Sequence, residues 1–529
     1  MLKKIKRALR LSGIDPLQGN TIVINAEKLE RRVALLEDGI LEEYDIEREG
    51  DNNIVGSIFK GRVKNIEPGL KAMFVDIGME KNAFLHFWDA IPAALDNSLE
   101  EIQRHGRPKR RKKQITSKDI PKIYPVGSEI VIQVSKGPIG NKGPRVTTNV
   151  SLPGRYLVLT PYSEQFGISR KVDDPKERKR LREIMEKLNV PEGMGIIMRT
   201  VAQNQRYRHF VRDLAMLLEE WGEVEDLRNN TPAPVCIFKE PGLIERTARD
   251  FLTEEIDNVI CDDLETTEEM RAIAERISRR AKNRIHYHPG PQPLFEATGL
   301  QKQIDEAFLR QVWLPCGGYI VIDETEALIA IDVNTGRNRG SKDVERMILE
   351  TNVEAAEEVA RQFRLRNIGG LVVVDFIDMR HRRDQQAVFR AMKERLKRDK
   401  AKTQVLQISS VGLMEMTRQR LNESIRETIL EPCPYCQGRG KVKTTLTMSV
   451  EIQRVLSGVI HKQKQEEVGD IIVVVNSDVL NRFKSEDSHL LVELERSHTG
   501  RLIFRSDPAL HRERYAIIDA QTEKPLAEG

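Results

Sequence analysis

Alternating hydrophobic and polar residues predict strands over most of the first 150 positions. Residues 20–48 indicate short strands and turns, and a second group of β-rich runs follows over 53–87. The alternation resumes over 126–148, after a long insert. We therefore predict one small β-barrel at 53–148 that carries a long inserted loop.

The rest of the chain alternates between helical and strand patterns. Strands at 155–161 and 195–201 flank a charged helical stretch, and residues 243–310 mix helix and strand. The other predicted elements are a helix over 203–230, a hairpin of GGYIVID (317–323) and ALIAIDVN (327–334), a helix over 344–366 that ends near Asn367, the strand LVVVDFIDM (371–379), a helix over 384–399 and a last unit over 441–529.

Composition indicates a globular protein with a highly charged surface. Of 529 residues, 39% are hydrophobic and 31% are charged, and no run approaches the ~18 apolar residues that span a bilayer. The length favours roughly three to five domains. The 5 cysteines are few and odd in number, so we expect a reducing, cytoplasmic location and no disulfide framework.

Charge is balanced overall and concentrated locally. The 85 basic and 81 acidic residues give a net charge of +4, yet RHGRPKRRKK (104–113) is almost entirely basic. Such a block is typical of disordered segments that contact nucleic acid, and the alternative is a solvated loop without a dedicated partner. The basic start, MLKKIKRALRL, indicates a helical extension or a short amphipathic helix on a membrane surface.

Two neighbouring apolar strands each carry an aspartate. Asp332 follows Ile329 and Ile331, and a carboxylate buried among such residues needs a cation to offset its desolvation. Side chains alternate along a strand, so Asn334 shares the face of Asp332, while Asp375 ends the apolar run of the next strand. Because a helix joins the two strands, we expect a parallel sheet with both carboxylates at its carboxyl ends.

Two carboxylates and an amide oxygen are hard ligands that suit Mg²⁺, which keeps several waters and also binds a substrate phosphate. The alternative is structural: Asp332 caps a turn, and Asp375 forms a salt bridge with Arg337 or Arg380. Alternation places Asp378 on the opposite face, so we predict that Asp378 is structural.

Four motifs then follow in order along the chain: ALIAIDVNTGR (327–337), GGLVVVDFIDM (369–379), GLMEMTRQR (412–420) and CPYCQGRG (433–440). Together they resemble the ribonuclease E/G family of bacterial endoribonucleases, over roughly residues 20–520. The resemblance implies a deoxyribonuclease I-like domain in which Asp332 and Asp375 hold a catalytic Mg²⁺, supported by Asn334. It further implies hydrolysis of single-stranded RNA by a Mg²⁺-activated water, leaving 5′-phosphate and 3′-hydroxyl ends.

The resemblance also implies that the barrel is an OB-fold RNA-binding domain. OB-folds bind single strands by aromatic stacking beside basic side chains. Phe74 and Phe84, ten residues apart across a glycine-containing turn, are the candidate stacking residues, and Lys142 matches the basic contact. The alternative is that both phenylalanines lie in the barrel core.

A pocket that reads a 5′-monophosphate is a further implication of the resemblance. Arg199 and Thr200 match the residues that grip the phosphate, and Arg170 with the backbone at Gly154 and Val158 would complete the pocket. The planar fork of an arginine and the directional donor of a hydroxyl suit a terminal phosphate. Considered without the resemblance, an Arg-Thr pair is an ordinary surface feature.

Cys433 and Cys436 form a CxxC pair, which is half of a four-ligand zinc site. The other three cysteines are isolated, so we expect a second chain to supply the remaining two thiolates. The resemblance implies the same: two protomers share one Zn²⁺, and dimers pair into a tetramer. The alternative is a redox or inert pair, although we recognise no thioredoxin-like βαβ pattern around it.

The expected architecture is multidomain, α/β and α+β, with an OB-fold barrel inserted in an RNase H-like domain. The expected domains are a first RNase H-like segment with the basic extension (1–52), the OB-fold domain with its insert at 88–120 (53–150), a phosphate-sensing region and helical connection (151–242), a second RNase H-like segment (243–307), the catalytic domain (308–430), the zinc link (431–440) and a small C-terminal domain (441–529).

The expected function is a Mg²⁺-dependent endoribonuclease, stimulated by a substrate 5′-monophosphate, in rRNA processing and mRNA decay. RNA-decay proteins are candidate partners, and the length matches the short, ribonuclease G type of the family. The alternative is a non-catalytic RNA- or ribosome-binding factor of the same fold, and a deoxyribonuclease is a weaker one.

Overall fold

The structure is a computed structural model that describes residues 18–49, 54–91, 99–101, 119–138, 142–172, 174–252, 256–277, 279–325, 327–338, 343–419, 424–463 and 469–529. The predicted N-terminal extension and the basic run at 104–113 lie outside these residues. The chain divides into two compact units, Met1–Thr428 and Ile429–Gly529. No helix among the described residues is long and apolar enough to cross a bilayer.

The first unit contains most of the regular structure. Its strands are β1 (Asn20–Ala26), β2 (Glu30–Glu37), β3 (Ile40–Arg48), β4 (Ile58–Glu67), β5 (Ala72–Asp76), β6 (Ala83–His86), β7 (Leu99–Glu101), β8 (Glu129–Lys136), β9 (Arg145–Thr147), β10 (Leu152–Pro153), β11 (Leu157–Thr160), β12 (Phe166–Ser169), β13 (Gly195–Met198), β14 (Val235–Phe238), β15 (Asn258–Cys261), β16 (Ile285–Tyr287), β17 (Gln311–Trp313), β18 (Tyr319–Glu324), β19 (Ile329–Asn334), β20 (Gly370–Asp375), β21 (Thr403–Val405) and β22 (Leu413–Arg418). The α-helices that begin in it are α1 (Ile120–Ile123), α2 (Pro175–Lys187), α3 (Tyr207–Asn230), α4 (Leu243–Phe251), α5 (Leu264–Ile277), α6 (Arg279–Lys282), α7 (Leu294–Ala297), α8 (Leu300–Ala307), α9 (Val344–Leu365), α10 (Arg382–Leu396) and α11 (Ile425–Ile429).

Two segments far apart in sequence build the first sheet, in the order β16-β15-β1-β2-β3. Strand β1 is antiparallel to β2 and parallel to β15. Its central residues are buried on both faces, since Ile22 and Ile24 pack with residues of α4 and α5, whereas Val23 packs with residues of α7 and α8. Residues 20–48 and 258–287 therefore share one sheet, although the barrel separates them in sequence.

The predicted β-barrel is confirmed. Strands β4, β5, β6, β9 and β8 follow one another around it, and β8 pairs back with β4 to close it. The order, with β6 parallel to β9, is consistent with an OB-like domain. Its core includes Val63, Met73, Val75, Leu85 and Ile132.

The next sheet has the order β10-β11-β13-β12-β7. Residues of α2 and α3 pack with its apolar face in one hydrophobic core. Its edge strand β7 comes from the insert that was predicted to be a loop, and Leu99 and Glu101 pair with Ser169 and Gly167. Three residues of the insert are thus ordered by adding a strand to a neighbouring sheet.

The last sheet of this unit has the order β17-β18-β19-β20-β22-β21. The predicted hairpin is β18–β19, and α9 crosses to β20, which is parallel to β19. Residues of α9 and α10 pack with one face of the sheet. The residues of the other face are exposed or half-buried, including Leu371 at 44% exposure. The helix ends as predicted near Asn367, which adopts a left-handed φ of 51°.

The second unit is a smaller α/β fold. Its elements are α12 (Thr445–Gln463), β23 (Ile471–Val475), α13 (Ser477–Ser485), α14 (Ser488–Arg496), β24 (Leu502–Ser506), β25 (Tyr515–Asp519) and β26 (Pro525–Glu528). The sheet order is β24-β23-β25-β26, with β23 parallel to β24 and the rest antiparallel. The segment from β23 to β24 is therefore a βαβ unit.

Candidate functional site

Asp332 and Asp375 lie side by side at the ends of two parallel strands. The register of β19 and β20 pairs them directly, as expected from a helical crossover between the strands. Alternation turns Ile331 and Val333 into the core and leaves Asp332 exposed, so the predicted burial of Asp332 is wrong. Asn334 shares that face and donates from Nδ2 to Asp332 Oδ2 at 2.8 Å.

Asp378 lies in the same shallow pocket as both carboxylates, so the prediction that it faces away is wrong. Strand β20 ends at Asp375, and the alternation of side chains does not continue beyond it. Phe376 returns to the core, whereas Ile377 is held by an amide. The chain therefore turns after Asp375 and brings a third carboxylate to the pocket.

The pocket is strongly negative. Partial burial raises the pKa of the Asp375 carboxyl, and the charges of Asp332 and Asp378 raise it further. Among the described residues, no basic side chain lies within ion-pair distance of Asp332 or Asp375. The proposed structural partners are engaged elsewhere: Arg337 lies over an aromatic ring, and Arg380 is 3.8 Å from Glu345.

Hard oxygen donors that have no basic partner among the described residues fit a hard divalent cation. Mg²⁺ needs only one or two carboxylates from the protein, since waters and a substrate phosphate fill its other positions. Within the stretches of the chain that the structure describes, no group of three or more His, Cys, Asp or Glu residues is arranged to hold a metal unaided. The donor set of Asp332, Asp375 and Asn334 is of the sparse kind that Mg²⁺ accepts.

A buried amide that the sequence analysis missed supports the pocket. Asn352, on the covered side of α9, is 0% exposed. Its Nδ2 donates to Ile377 O at 2.8 Å, and its Oδ1 accepts from Ile377 N at 3.1 Å. A polar residue in the buried stripe of a predicted helix is the signal that could have identified it.

The residues predicted to read a 5′-phosphate gather at one end of the β10-β11-β13-β12-β7 sheet. Arg199 follows β13, Arg170 follows β12, and Gly154 precedes β11, while Val158 pairs with Ile197. Because β11 is antiparallel and β12 parallel to β13, these positions meet at the same end. Thr200 opens a short 3₁₀ helix there.

Arg199 is held in place by two acceptors. Its Nη1 donates to Gly154 O at 2.7 Å and pairs with Asp250 Oδ1 at 2.8 Å. Although burial opposes ionisation, the charges of Arg249 and Arg199 hold the pKa of Asp250 below its usual range. Asp250 was not foreseen from the sequence, since it comes from α4, far along the chain.

A second unforeseen aspartate shapes the loop beside Arg199. The Asp213 carboxylate accepts from the backbone N–H groups of Arg155, Tyr156 and Leu157 at 3.1, 2.8 and 2.9 Å. A Cβ on Gly154 would lie 2.9 Å from Asp213 Oδ2, so glycine is needed at that position. The Gly154 N–H donates to Leu157 O at 2.8 Å, which commits it to the loop.

Phe74 and Phe84 lie on the outside of the barrel. They are directly opposite on β5 and β6, with ring centroids 5.8 Å apart in an edge-to-face arrangement. Both are half-buried, while their neighbours Met73 and Leu85 are in the core, which argues against the core alternative. Lys142 is exposed, three residues before Arg145, which pairs with Phe84 across β6 and β9.

Cys433 and Cys436 occupy a tight turn in which Cys433 is exposed and Cys436 is half-buried. Gln437 adopts a left-handed φ of 51° and donates from its N–H to Cys433 O at 2.7 Å. Hydrogen bonds from the backbone N–H groups of Cys436 and Tyr435 hold the pKa of the Cys433 thiol below its usual range. Gly440 N donates to Cys436 Sγ at 3.3 Å. The donors to Cys433 favour its thiolate, which is the form that binds zinc.

Comparison with known proteins places the chain in a family. A model of the ribonuclease E/G family matches residues 151–421, and a model of the RNase E/G thioredoxin-like domain matches residues 432–521. The chain is 35% identical over 497 residues to ribonuclease G of Escherichia coli (strain K12), covering 94% of this chain and 99% of that protein. The chain belongs to the ribonuclease E/G family.

Other relatives agree. Ribonuclease G of Haemophilus influenzae is 33% identical over 498 residues, covering 94% of this chain and 99% of that protein. Ribonuclease E of Escherichia coli (strain K12) is 38% identical over 468 residues, which span 88% of this chain and 43% of that protein. The four ordered motifs were thus sufficient to recognise the ribonuclease E/G family.

Membership in the ribonuclease E/G family corrects one expectation about the CxxC pair. A thioredoxin-like βαβ unit does follow it, at β23–α13–α14–β24, within the matched thioredoxin-like domain. The CxxC pair, however, lies outside this βαβ unit, because it precedes α12. Asn476 and Ser477 occupy the junction of β23 and α13. The turn that carries the CxxC pair contacts the segment between β24 and β25, where the ring centroids of Tyr435 and His511 are 4.1 Å apart.

Proposed function

We propose that the protein is an endoribonuclease that hydrolyses single-stranded RNA at Asp332 and Asp375 with the help of Mg²⁺. The observation that carries the proposal is the direct pairing of the two carboxylates on an exposed sheet face. No basic side chain of the described residues neutralises them. The family relatives named ribonuclease G and ribonuclease E support RNA as the substrate.

In this proposal, Asp332 and Asp375 hold the metal and Asn334 fixes the Asp332 carboxylate through its 2.8 Å hydrogen bond. When bound, Mg²⁺ activates water for attack and neutralises a phosphoryl oxygen of the scissile linkage. Asp378 lines the same pocket, and its charge adds to the negative potential that would attract the cation. The products carry 5′-phosphate and 3′-hydroxyl ends.

Substrate binding is assigned to the barrel and to the β10-β11-β13-β12-β7 sheet. Phe74 and Phe84 stack on bases of the RNA, and Lys142 contacts the RNA strand. Arg199 reads a 5′-monophosphate. Asp250 and Gly154 O engage its Nη1, and among the described residues no hydrogen bond occupies its Nε or Nη2, which are the donors assigned to the phosphate. The 5′-phosphate pocket is completed by Thr200, Arg170 and the backbone near Val158. Recognition of the 5′-monophosphate would link cleavage to rRNA processing and mRNA decay.

We further propose that Cys433 and Cys436 supply half of a Zn²⁺ site shared by two chains, with dimers pairing into a tetramer. The N–H donors to both sulfurs and the exposure of Cys433 support this assignment. Two thiolates leave a tetrahedral zinc two ligands short, and a second copy of the turn supplies the same pair.

The central test is cleavage of a single-stranded RNA oligomer in the presence and absence of Mg²⁺. Asp332→Asn and Asp375→Asn should each reduce the cleavage rate by about 10²-fold or more, the scale for losing a group that stabilises the transition state. Asp323→Asn is the matched control, because Asp323 lies on the adjacent strand and pairs with Arg310 at 2.6 Å. RNA binding without Mg²⁺-dependent cleavage would favour the binding-factor alternative.

The sensing role has a separate test, in which oligomers with a 5′-monophosphate or a 5′-hydroxyl are compared. Arg199→Gln should lower cleavage of the 5′-monophosphate substrate about tenfold to a hundredfold, the range expected for one charge-assisted contact. Cleavage of the 5′-hydroxyl substrate should change little. Lys179→Gln, which removes an exposed charge from α2, is the control. Equal losses on both substrates would assign Arg199 to structure alone.

A further inference from the structure

The sheet face that carries the carboxylates also carries an aromatic pair. Trp313 on β17 lies opposite Tyr319 on β18, and Tyr319 lies opposite Asn334 on β19. Directly opposed residues of a sheet share a face, so this row extends from Asn334 along the face of Asp332. The burial pattern agrees, because Val312 and Ile320 alternate with the row and point into the core.

The aromatic pair is exposed at its outer end. The rings of Trp313 and Tyr319 are 5.3 Å apart in an edge-to-face arrangement, and Trp313 keeps 50% of its surface exposed. The Arg337 guanidinium carbon lies 5.1 Å from the Trp313 ring centroid. Within the described residues, no carboxylate lies at ion-pair distance from Arg337, so none of them neutralises its charge.

The turn that ends the catalytic strand fixes this arrangement. Gly336 adopts a φ of +54°, and a Cβ there would lie 2.5 Å from Gly317 O and 3.1 Å from Tyr319 Cδ1. Arg337 N donates to Gly317 O at 2.9 Å. The turn therefore packs closely on the residues that precede β18. This packing places Arg337 beside Trp313, at the outer end of the row that begins at Asn334.

We propose that Trp313 and Arg337 form a subsite for the nucleotide next to the scissile phosphate, with the base stacking on Trp313 and Arg337 facing the backbone. The proposal rests on the proposed function, because it takes Asp332 and Asp375 as the site of cleavage. Trp313 is two strand spacings, about 10 Å, from Asn334, which suits an adjacent nucleotide. Aromatic stacking and arginine are the sequence-tolerant means by which proteins hold single strands.

The subsite makes Trp313 a positioning residue rather than a catalytic one. Loss of stacking on one base should raise KM for RNA and the dissociation constant by about tenfold or more. Cleavage should also occur at more than one position, since the RNA strand is no longer anchored beside the carboxylates. The stimulation by a 5′-monophosphate should keep its ratio, because Arg199 reads a different portion of the substrate.

The experiment uses the full chain and RNA oligomers with 2-aminopurine at successive positions around a mapped cleavage site. Binding is measured by 2-aminopurine fluorescence in buffer without added Mg²⁺, and cleavage with Mg²⁺. Stacking should quench the probe at one position beside the cleavage site in the unmodified protein and in Trp313→Phe. The quench should be lost in Trp313→Ala, with KM raised about tenfold. Arg337→Gln should weaken binding and reduce its dependence on salt.

Trp88→Ala is the matched control, because Trp88 is 65% exposed and lies in the short helix after β6, within the barrel. It should leave that position-specific quench in place. If Asp332→Asn abolishes cleavage while Trp313→Ala leaves KM, cleavage position and quenching unchanged, the subsite is refuted and the proposed function stands. If Trp313→Ala changes the oligomer mass by light scattering with RNA binding intact, the pair is a protein contact and the subsite is likewise refuted. Absence of any Mg²⁺-dependent cleavage would overturn the proposed function itself.

Discussion

Asn352 offers a sensitive test of how the pocket is supported. It is fully buried on α9 and is hydrogen-bonded to both the C=O and the N–H of Ile377, at 2.8 and 3.1 Å. Ile377 stands between Phe376, which is in the core, and Asp378, which lines the pocket. Asn352→Ala would remove both restraints on this segment without touching a proposed metal ligand.

The cost can be worked out from the two bonds. Each lost hydrogen bond, with its backbone partner left unsatisfied, is expected to cost about 1–2 kcal/mol. Asn352→Ala should therefore lower the free energy of unfolding by about 2–4 kcal/mol, measured by urea unfolding. Because the segment that carries Asp378 is released, the rate of RNA cleavage should fall more than RNA affinity does.

Gln362 provides the matched control on the same helix. It is also 0% exposed, donates to Glu358 Oε1 at 2.8 Å and accepts from Arg366 Nε at 2.7 Å, but does not contact the pocket. Gln362→Ala should lose a similar free energy of unfolding and keep its cleavage rate at a temperature where both variants are folded. Equal loss of single-turnover cleavage in the two variants would refute the positioning role of Asn352.

Three further predictions concern the other sites. Cys433→Ser should lower zinc content by atomic absorption and oligomer mass by light scattering, and an unchanged mass would contradict a shared Zn²⁺. Phe74→Ala and Phe84→Ala should each weaken single-stranded RNA binding by about 5- to 100-fold in gel shifts, with little loss of stability because neither residue is in the barrel core. Hydrogen bonds from Arg180 hold the pKa of the buried Glu177 carboxyl below its ordinary 4.5, so its contribution is present above pH 4.5 and lost as the pH falls through the folded pKa. Glu177→Gln should thus cost about 1–3 kcal/mol in urea unfolding at pH 7 and progressively less below pH 4, and a pH-independent difference would count against this account.

The sequence predicted the strands that carry Asp332 and Asp375 because their pattern depends on local rules. Apolar runs and a helix with a defined end identified the β18–β19 hairpin and α9 close to their observed bounds, whereas the strand predicted over 371–379 ends at Asp375. The sequence did not show that Asp332 is exposed, because an apolar run alone does not tell whether one face or both faces of a strand are covered. Only Ile329, Ile331 and Val333 point inward; Ala330 and Asp332 point outward.

The remaining errors come from contacts that are distant in sequence. The facing of Asp378 was inferred from strand alternation, but the strand ends at Asp375 and the segment after it is held by Asn352. The partners of Arg199 are similar: Asp250 lies 51 positions away, and no local pattern connects the two. Such pairs become visible only when the packed helices are in place.

The layering of the last sheet of the first unit explains why its site suits a polymer. Helices α9 and α10 pack on one face, and the carboxylates, Asn334 and the aromatic row all lie on the other. A small molecule needs a concave, mostly apolar enclosure to bury its surface, which this shallow, polar pocket does not provide. Single-stranded RNA, the substrate in the proposed function, can instead gain its binding energy from several separated contacts along its length, such as those proposed for Trp313 and the barrel phenylalanines. One of its phosphates can then lie at Asp332 and Asp375. An exposed pair of carboxylates is therefore compatible with tight binding, because affinity and chemistry need not come from the same cavity.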